Sequence, residues 1–187
     1  MKSWTVLCRS SFVCLVFAGS TAGRSPAFAD DAHFQFGFAK VDITPTEPVR
    51  LSGYSNRDQA YEGIDEPLFV RAMALKSGDS LPCVVVSVDT IGFPGALTRE
   101  VFEAVEAQHK LPRANLALAC THSHTSPHLG RGLDNLYNKP QSDDERARTS
   151  AYTDFVRDRV IQAAGDALAN LAPGRLFTSE GAAHFAA

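Results

Sequence analysis

The chain has 187 residues, 44% hydrophobic and 21% charged, with 13 Gly, 10 Pro and a formal net charge of −3. This is ordinary globular composition, which excludes a disordered, collagen-like or disulfide-dense scaffold and fits one core-forming domain.

The first element in chain order is a leader. Lys2 and Arg9 precede or flank a short apolar run, Ser11 to Ser20, and Ala27-Phe28-Ala29 places small residues at −3 and −1 of a cleavage site. This is a secretory signal-peptide pattern, so 1–29 is expected to be removed and 30–187 exported to a secreted or periplasmic location. The leader carries three of the 18 basic residues and none of the 21 acids, which leaves the remainder at −6. Such a balance gives no electrostatic footprint for nucleic acid and no attraction to anionic lipid heads. No later window approaches the ~20 continuous apolar residues of a membrane span.

Phe34, Phe36 and Phe38 alternate with Gln35 and Gly37, the period-2 signature of a half-buried strand, and the apolar Val41 and Ile43 follow. Thr44-Pro45 ends it, with Asp42 placed to bond the turning backbone. Residues 47–67 are rich in Gly, Pro, Asn and Asp and form a candidate site wall containing Arg57, which could contact a polar substrate group. A second strand is predicted over Phe69–Lys76. A third, Cys83–Val88, is apolar almost throughout, as for a strand covered on both faces of a parallel sheet.

A helix over 98–110 leads to a strand at Asn115–Thr121, which makes a right-handed βαβ unit with Asp89 and His122 just past the strand ends. A polar loop, 129–148, with the charged run Asp143-Asp144-Glu145-Arg146, is predicted before a long amphipathic helix. The helix stripe includes Tyr152, Phe155, Val156, Val160, Ala164 and Ala167, and Pro173-Gly174 stops it. Together these elements predict an α/β fold: a mixed, largely parallel sheet with the βαβ unit and flanking helices. Cys83 and Cys120 fall toward opposite ends of their strands, roughly 10 Å or more apart, and are expected to be buried free thiols rather than a disulfide.

The densest chemical signal is Thr121-His122-Ser123-His124-Thr125-Ser126-Pro127-His128, which holds three of the six histidines. In extended backbone His122 and His124 point the same way and can approach one cation, and neutral imidazole suits Zn²⁺. His128 is a weaker candidate because Pro127 intervenes. His109, in the last turn of a helix, is better explained by the helix dipole, and His33 adjoins the cleavage site. Asp89 is read equally as a partner that orients an imidazole or as a cap of the following turn. There is no Gly-x-Ser-x-Gly elbow, Walker loop or dinucleotide fingerprint, which leaves metal-assisted chemistry ahead.

Gly37 to Pro45 (GFAKVDITP), Leu51-Ser-Gly-Tyr54, Ser87-Val-Asp-Thr90 and Thr121-His-Ser-His124 with Pro127, in this order and spacing, resemble the start of the neutral/alkaline non-lysosomal ceramidase family. The resemblance implies a zinc amidohydrolase that cleaves the N-acyl amide of ceramide or a related lipid amide. It makes His122 a metal ligand and His124 part of the active-site wall, with Asp89 and Arg57 carried as further catalytic candidates. Ser123 replaces the family's usual threonine, and 125–130 departs from its usual Ser-Gly-Pro-Gly-Gly. The family's second His, Glu and Tyr ligands and its catalytic serine lie downstream of the matched region. The chain therefore reads as the N-terminal part of the catalytic domain, an incomplete domain that binds zinc poorly and is inactive alone. Two other readings remain: a non-catalytic exported α/β binding domain with structural histidines, and an unrelated zinc hydrolase of different fold.

Overall fold

A computed structural model of the chain describes residues 34–132 and 139–182. The leader, His33, His184 and part of the predicted loop 129–148 lie outside the described residues. Every described regular element falls in one compact unit, Asp30–Phe177. Residues 178–182 have no regular structure.

The described elements are β1 (Phe34–Asp42), β2 (Phe69–Ser77), β3 (Cys83–Val88), α1 (Gly95–His109), β4 (Leu116–Cys120), α2 (Asp143–Ala169) and β5 (Ala172–Gly174), with a 3₁₀ turn at Arg113–Asn115. The sheet order is β4-β3-β2-β1-β5. β3 and β4 are parallel, as the βαβ reading requires, but β1–β2, β1–β5 and β2–β3 are antiparallel. The sheet is thus mixed and mostly antiparallel, which corrects the largely parallel expectation. The short link 78–82 is the reason: it is too brief for a crossover and closes β2 onto β3 as a hairpin.

One face of the sheet is buried. The row Ala39, Ala72, Val86 and Leu118 crosses four strands in register, with Val70, Ala74, Val84 and Val88 beside it. α2 lies across β1, β2 and β3, and α1 packs against α2. The helix presents Val156, Val160, Ala163, Ala164 and Ala167, all fully buried. These small residues bring it very close to β1: a Cβ on Gly37 would meet the Ala167 carbonyl oxygen at 1.9 Å. That closeness explains why the phenylalanines of β1 are not its core face. Gly37, Ala39 and Val41 turn toward α2, whereas Phe38 is 63% exposed.

The opposite face carries the transverse row Phe38, Met73, Val85 and Ala117. Among the described residues nothing is packed over it, so β3 is covered on one face rather than two; Val85 is 45% exposed. Cys83 is likewise exposed and Cys120 half-buried, both as free thiols. The prediction of free cysteines holds; that of burial fails at Cys83, because its side of β3 is the open one. No described helix is long and apolar enough to cross a membrane.

The charged run 143–146 is not part of a loop before α2 but its first turn. Ser142 Oγ accepts from the Glu145 N–H at 3.3 Å, and Glu145 Oε2 accepts from the Ser142 N–H at 2.7 Å, a closed capping box. Three acidic side chains in that turn complement the helix dipole.

Candidate functional site

The site is assembled at the carboxyl ends of the parallel pair, the edge where α/β sheets place their ligands. Thr121 and Ser123 donate their backbone N–H groups to the carbonyls of Val88 and Thr90, so the chain leaving β4 stays tied to the end of β3. His122 then adopts a left-handed backbone at φ 60°, uncommon for a residue with a Cβ. Its Nδ1–H donates to the Ile91 carbonyl at 2.7 Å, so the tautomer compatible with this bond offers its lone pair at Nε2. The His122 and His124 rings stand 5.1 Å apart at 73°. The two rings are therefore neighbours, but the left-handed turn at His122, not the extended backbone expected from sequence, brings them together.

A second segment closes over this loop from the long β1–β2 connection. The Ser52 N–H donates to the Ser126 carbonyl and the His128 N–H to the Arg50 carbonyl, both at 2.8 Å, with Leu51 bridged to Pro127. Gly53, at φ 107°, passes so near His124 that an added Cβ would lie 2.7 Å from the His124 Cβ. Tyr54 meets the His124 ring edge-on at 5.0 Å. Arg57 donates from Nη1 to the carbonyls of both Ser52 and His124 and stacks over Tyr54 at 4.8 Å. The far end of the segment is bolted by buried Arg50, which donates to the Lys139 carbonyl at 2.7 Å and pairs with Glu145 Oε1 at 3.0 Å.

Asp89 follows β3 and spends its Oδ2 on β2, accepting from the Phe69 N–H at 3.0 Å and from Arg71 at 2.8 Å. It secures the strand end from which the site departs. Asp42 accepts from the Thr44 N–H at 2.7 Å, the turn-forming bond expected of it. His128 is buried in the core beside Arg50, and the His109 ring rests on Gly165 of α2. Residues Thr121, Ser123, Thr125 and Pro127 line a cleft of about 620 Å³ whose other wall is the 44–68 connection, including Tyr61, Ile64, Asp65 and Glu66. The connection thus forms a wall of this cleft. The two histidines are not in the lining of that cleft, so the 121–127 loop presents hydroxyls and imidazoles to different surroundings.

The donors present fit part of a zinc site. His122 offers Nε2, and His124 Nδ1 is buried without a hydrogen-bond partner among the described residues. Catalytic zinc takes three protein ligands, and among the described residues no group of three His, Cys, Asp or Glu could hold an ion.

The neutral/alkaline non-lysosomal ceramidase N-terminal family matches residues 34–187. The chain belongs to that family. The neutral ceramidase of Pseudomonas aeruginosa is 30% identical over 178 residues, covering 92% of this chain and 26% of that protein. The neutral ceramidase of Oryza sativa subsp. japonica is 27% identical over 148 residues, covering 78% of this chain and 18% of that protein. The crystal structure of the Pseudomonas neutral ceramidase superposes with a TM-score of 0.62 at 29% identity, over 78% of this chain and 23% of that one. A ceramidase complexed with C2 gives 0.63 at 27% identity, over 78% and 22%. The ceramidase-family chain thus spans about a quarter or less of the length of the curated relatives it matches. Membership removes the reading of an unrelated zinc hydrolase. Sequence reasoning missed the Ile91 carbonyl, a backbone partner no side-chain pattern reveals, and the anchoring by Arg50. It did single out Leu51-Ser-Gly-Tyr54, which proves to be the segment laid over the histidine loop.

Proposed function

We propose that this chain supplies the first metal-binding strand end and part of the active-site wall of a ceramidase-type amidohydrolase, acting on the N-acyl amide of ceramide or a related lipid amide. The observation that carries the reading is the His122–His124 pair at the end of β4, with the His122 tautomer set by Ile91 so that Nε2 is a ligand lone pair. Family membership supports it. His122 would hold Zn²⁺, and His124 would stand beside it in the wall. The chemistry a dication held there would supply is polarisation of an amide carbonyl and a lowered pKa of water. The chain's own residues hold the pair in place: Asp89 pins the strand end to β2, and the 50–57 segment covers the loop. Export, with cleavage near Ala29, belongs to the same proposal.

With two imidazoles and no third donor among the described residues, zinc binding by the chain alone is expected to be weak and ceramide hydrolysis undetectable. Calorimetric titration of the mature chain with Zn²⁺ tests this. Weak binding that disappears in His122→Ala supports the proposal; binding that His122→Ala leaves intact overturns the ligand assignment. Robust hydrolysis of an N-acylsphingosine by the purified chain, abolished by the same substitution, would overturn the expectation of inactivity. A chain without any zinc affinity and with unchanged stability in His122→Ala would favour the binding-domain reading.

A further inference from the structure

Arg57 is a candidate by sequence to touch a polar substrate, yet one nitrogen of its guanidinium is already engaged. One nitrogen, Nη1, bridges two carbonyls from different segments, Ser52 of the covering connection and His124 of the histidine loop. The face of the same group lies on Tyr54, whose ring in turn meets the His124 ring. The Arg57 N–H also closes the turn on the Tyr54 carbonyl at 3.2 Å. Gly53 supplies the missing side chain that lets the turn approach His124 at all.

From these contacts we infer that Arg57 is a positioning residue: it clamps the His124 backbone to the Gly53–Arg57 turn and thereby sets the place of the His124 ring beside His122. The inference deepens the metal-site proposal and rests on it only for its consequence, that cation affinity depends on Arg57. A guanidinium suits the task because it is planar, permanently charged and able to serve two acceptors while stacked on an aromatic ring. Methionine matches its length and apolar stem without any donor. Lysine keeps the charge as a point donor for one carbonyl.

The test uses the labelled mature chain and two readouts. The first is the set of ring-to-ring NOEs between His124 and His122, which need no metal. The second is Zn²⁺ affinity by calorimetry. In Arg57→Met the NOEs are expected to vanish while methyl signals from the α2–sheet core stay in place, and zinc affinity to fall about tenfold, the lower range for loss of a group that orients a ligand. Arg57→Lys should recover part of both. If Arg57→Met does not fold, Arg57→Lys alone carries the comparison, with weakened NOEs expected. Wild-type NOEs in the folded variant overturn the positioning role. If the wild-type chain binds no zinc, the metal proposal falls, and the NOE comparison still decides the role of Arg57.

Discussion

At Gly53 the backbone lies in a region that L side chains rarely adopt, and the space beside it is filled by His124. Gly53→Ala must therefore either strain φ or displace the histidine, and is expected to cost about 1–3 kcal/mol, read as a lowered urea midpoint with an unchanged slope. An unaltered midpoint would mean that the turn relaxes without the contact. Single residues of this kind mark how far the site could be read from sequence. The two histidines stood out because three histidines fall within seven residues directly after an apolar strand, although an HxH pair alone is only moderately specific. Arg57 was legible as a wall residue, but its work is done on two carbonyls, and backbone acceptors leave no trace in side-chain spacing. Asp89 could be placed at a strand end, whereas its choice of Phe69 and Arg71 depends on which strand lies alongside.

Among the elements, α2 shows the same division between pattern and pairing. Its apolar stripe was plain, and Tyr152 sits in it as expected, buried and donating to the Ile43 carbonyl at 2.8 Å, with burial pushing its phenol up. Its start was misread, although Ser142-x-x-Glu145 is itself a helix-start signature; the density of charge in 143–146 made the run look like a solvated loop. Glu145 now has a measurable consequence. The Ser142 N–H, and then the Arg50 guanidinium, hold its carboxyl down at about 2, from an ordinary 4.5. Because the folded value is depressed, the stabilisation is complete above the ordinary value and is lost as pH falls from about 4.5 toward 2. Thermal melts over that window should show a steeper acid loss in the wild type than in Glu145→Gln, whose melting temperature should already be lower at pH 7. Parallel acid limbs in the two proteins would refute the linkage. In β1 the alternation points to half-burial without saying which side is buried, and the close approach of α2 at Gly37 leaves the phenylalanines on the other one.

For the whole molecule, strand direction was the weakest inference, because a βαβ unit specifies only the pair it joins. The link 78–82, with its Gly78-Asp79-Ser80 turn residues, carried the information that β2 and β3 run antiparallel. The resulting order puts β2 between two partners and leaves β4 paired only with β3 among the described residues. Central and edge strands differ in how readily they open. In native-state hydrogen exchange the paired amides of β2 are expected to exchange only through global unfolding, and those of 116–120 through a smaller opening with a lower free energy. Equal protection in the two strands would contradict this. The imidazoles that carry the proposed chemistry hang from an edge strand, so on this expectation the lifetime of their arrangement is set by a local event rather than by the stability of the core. A polypeptide that paired with the outer edge of β4 would lengthen that lifetime without touching either histidine.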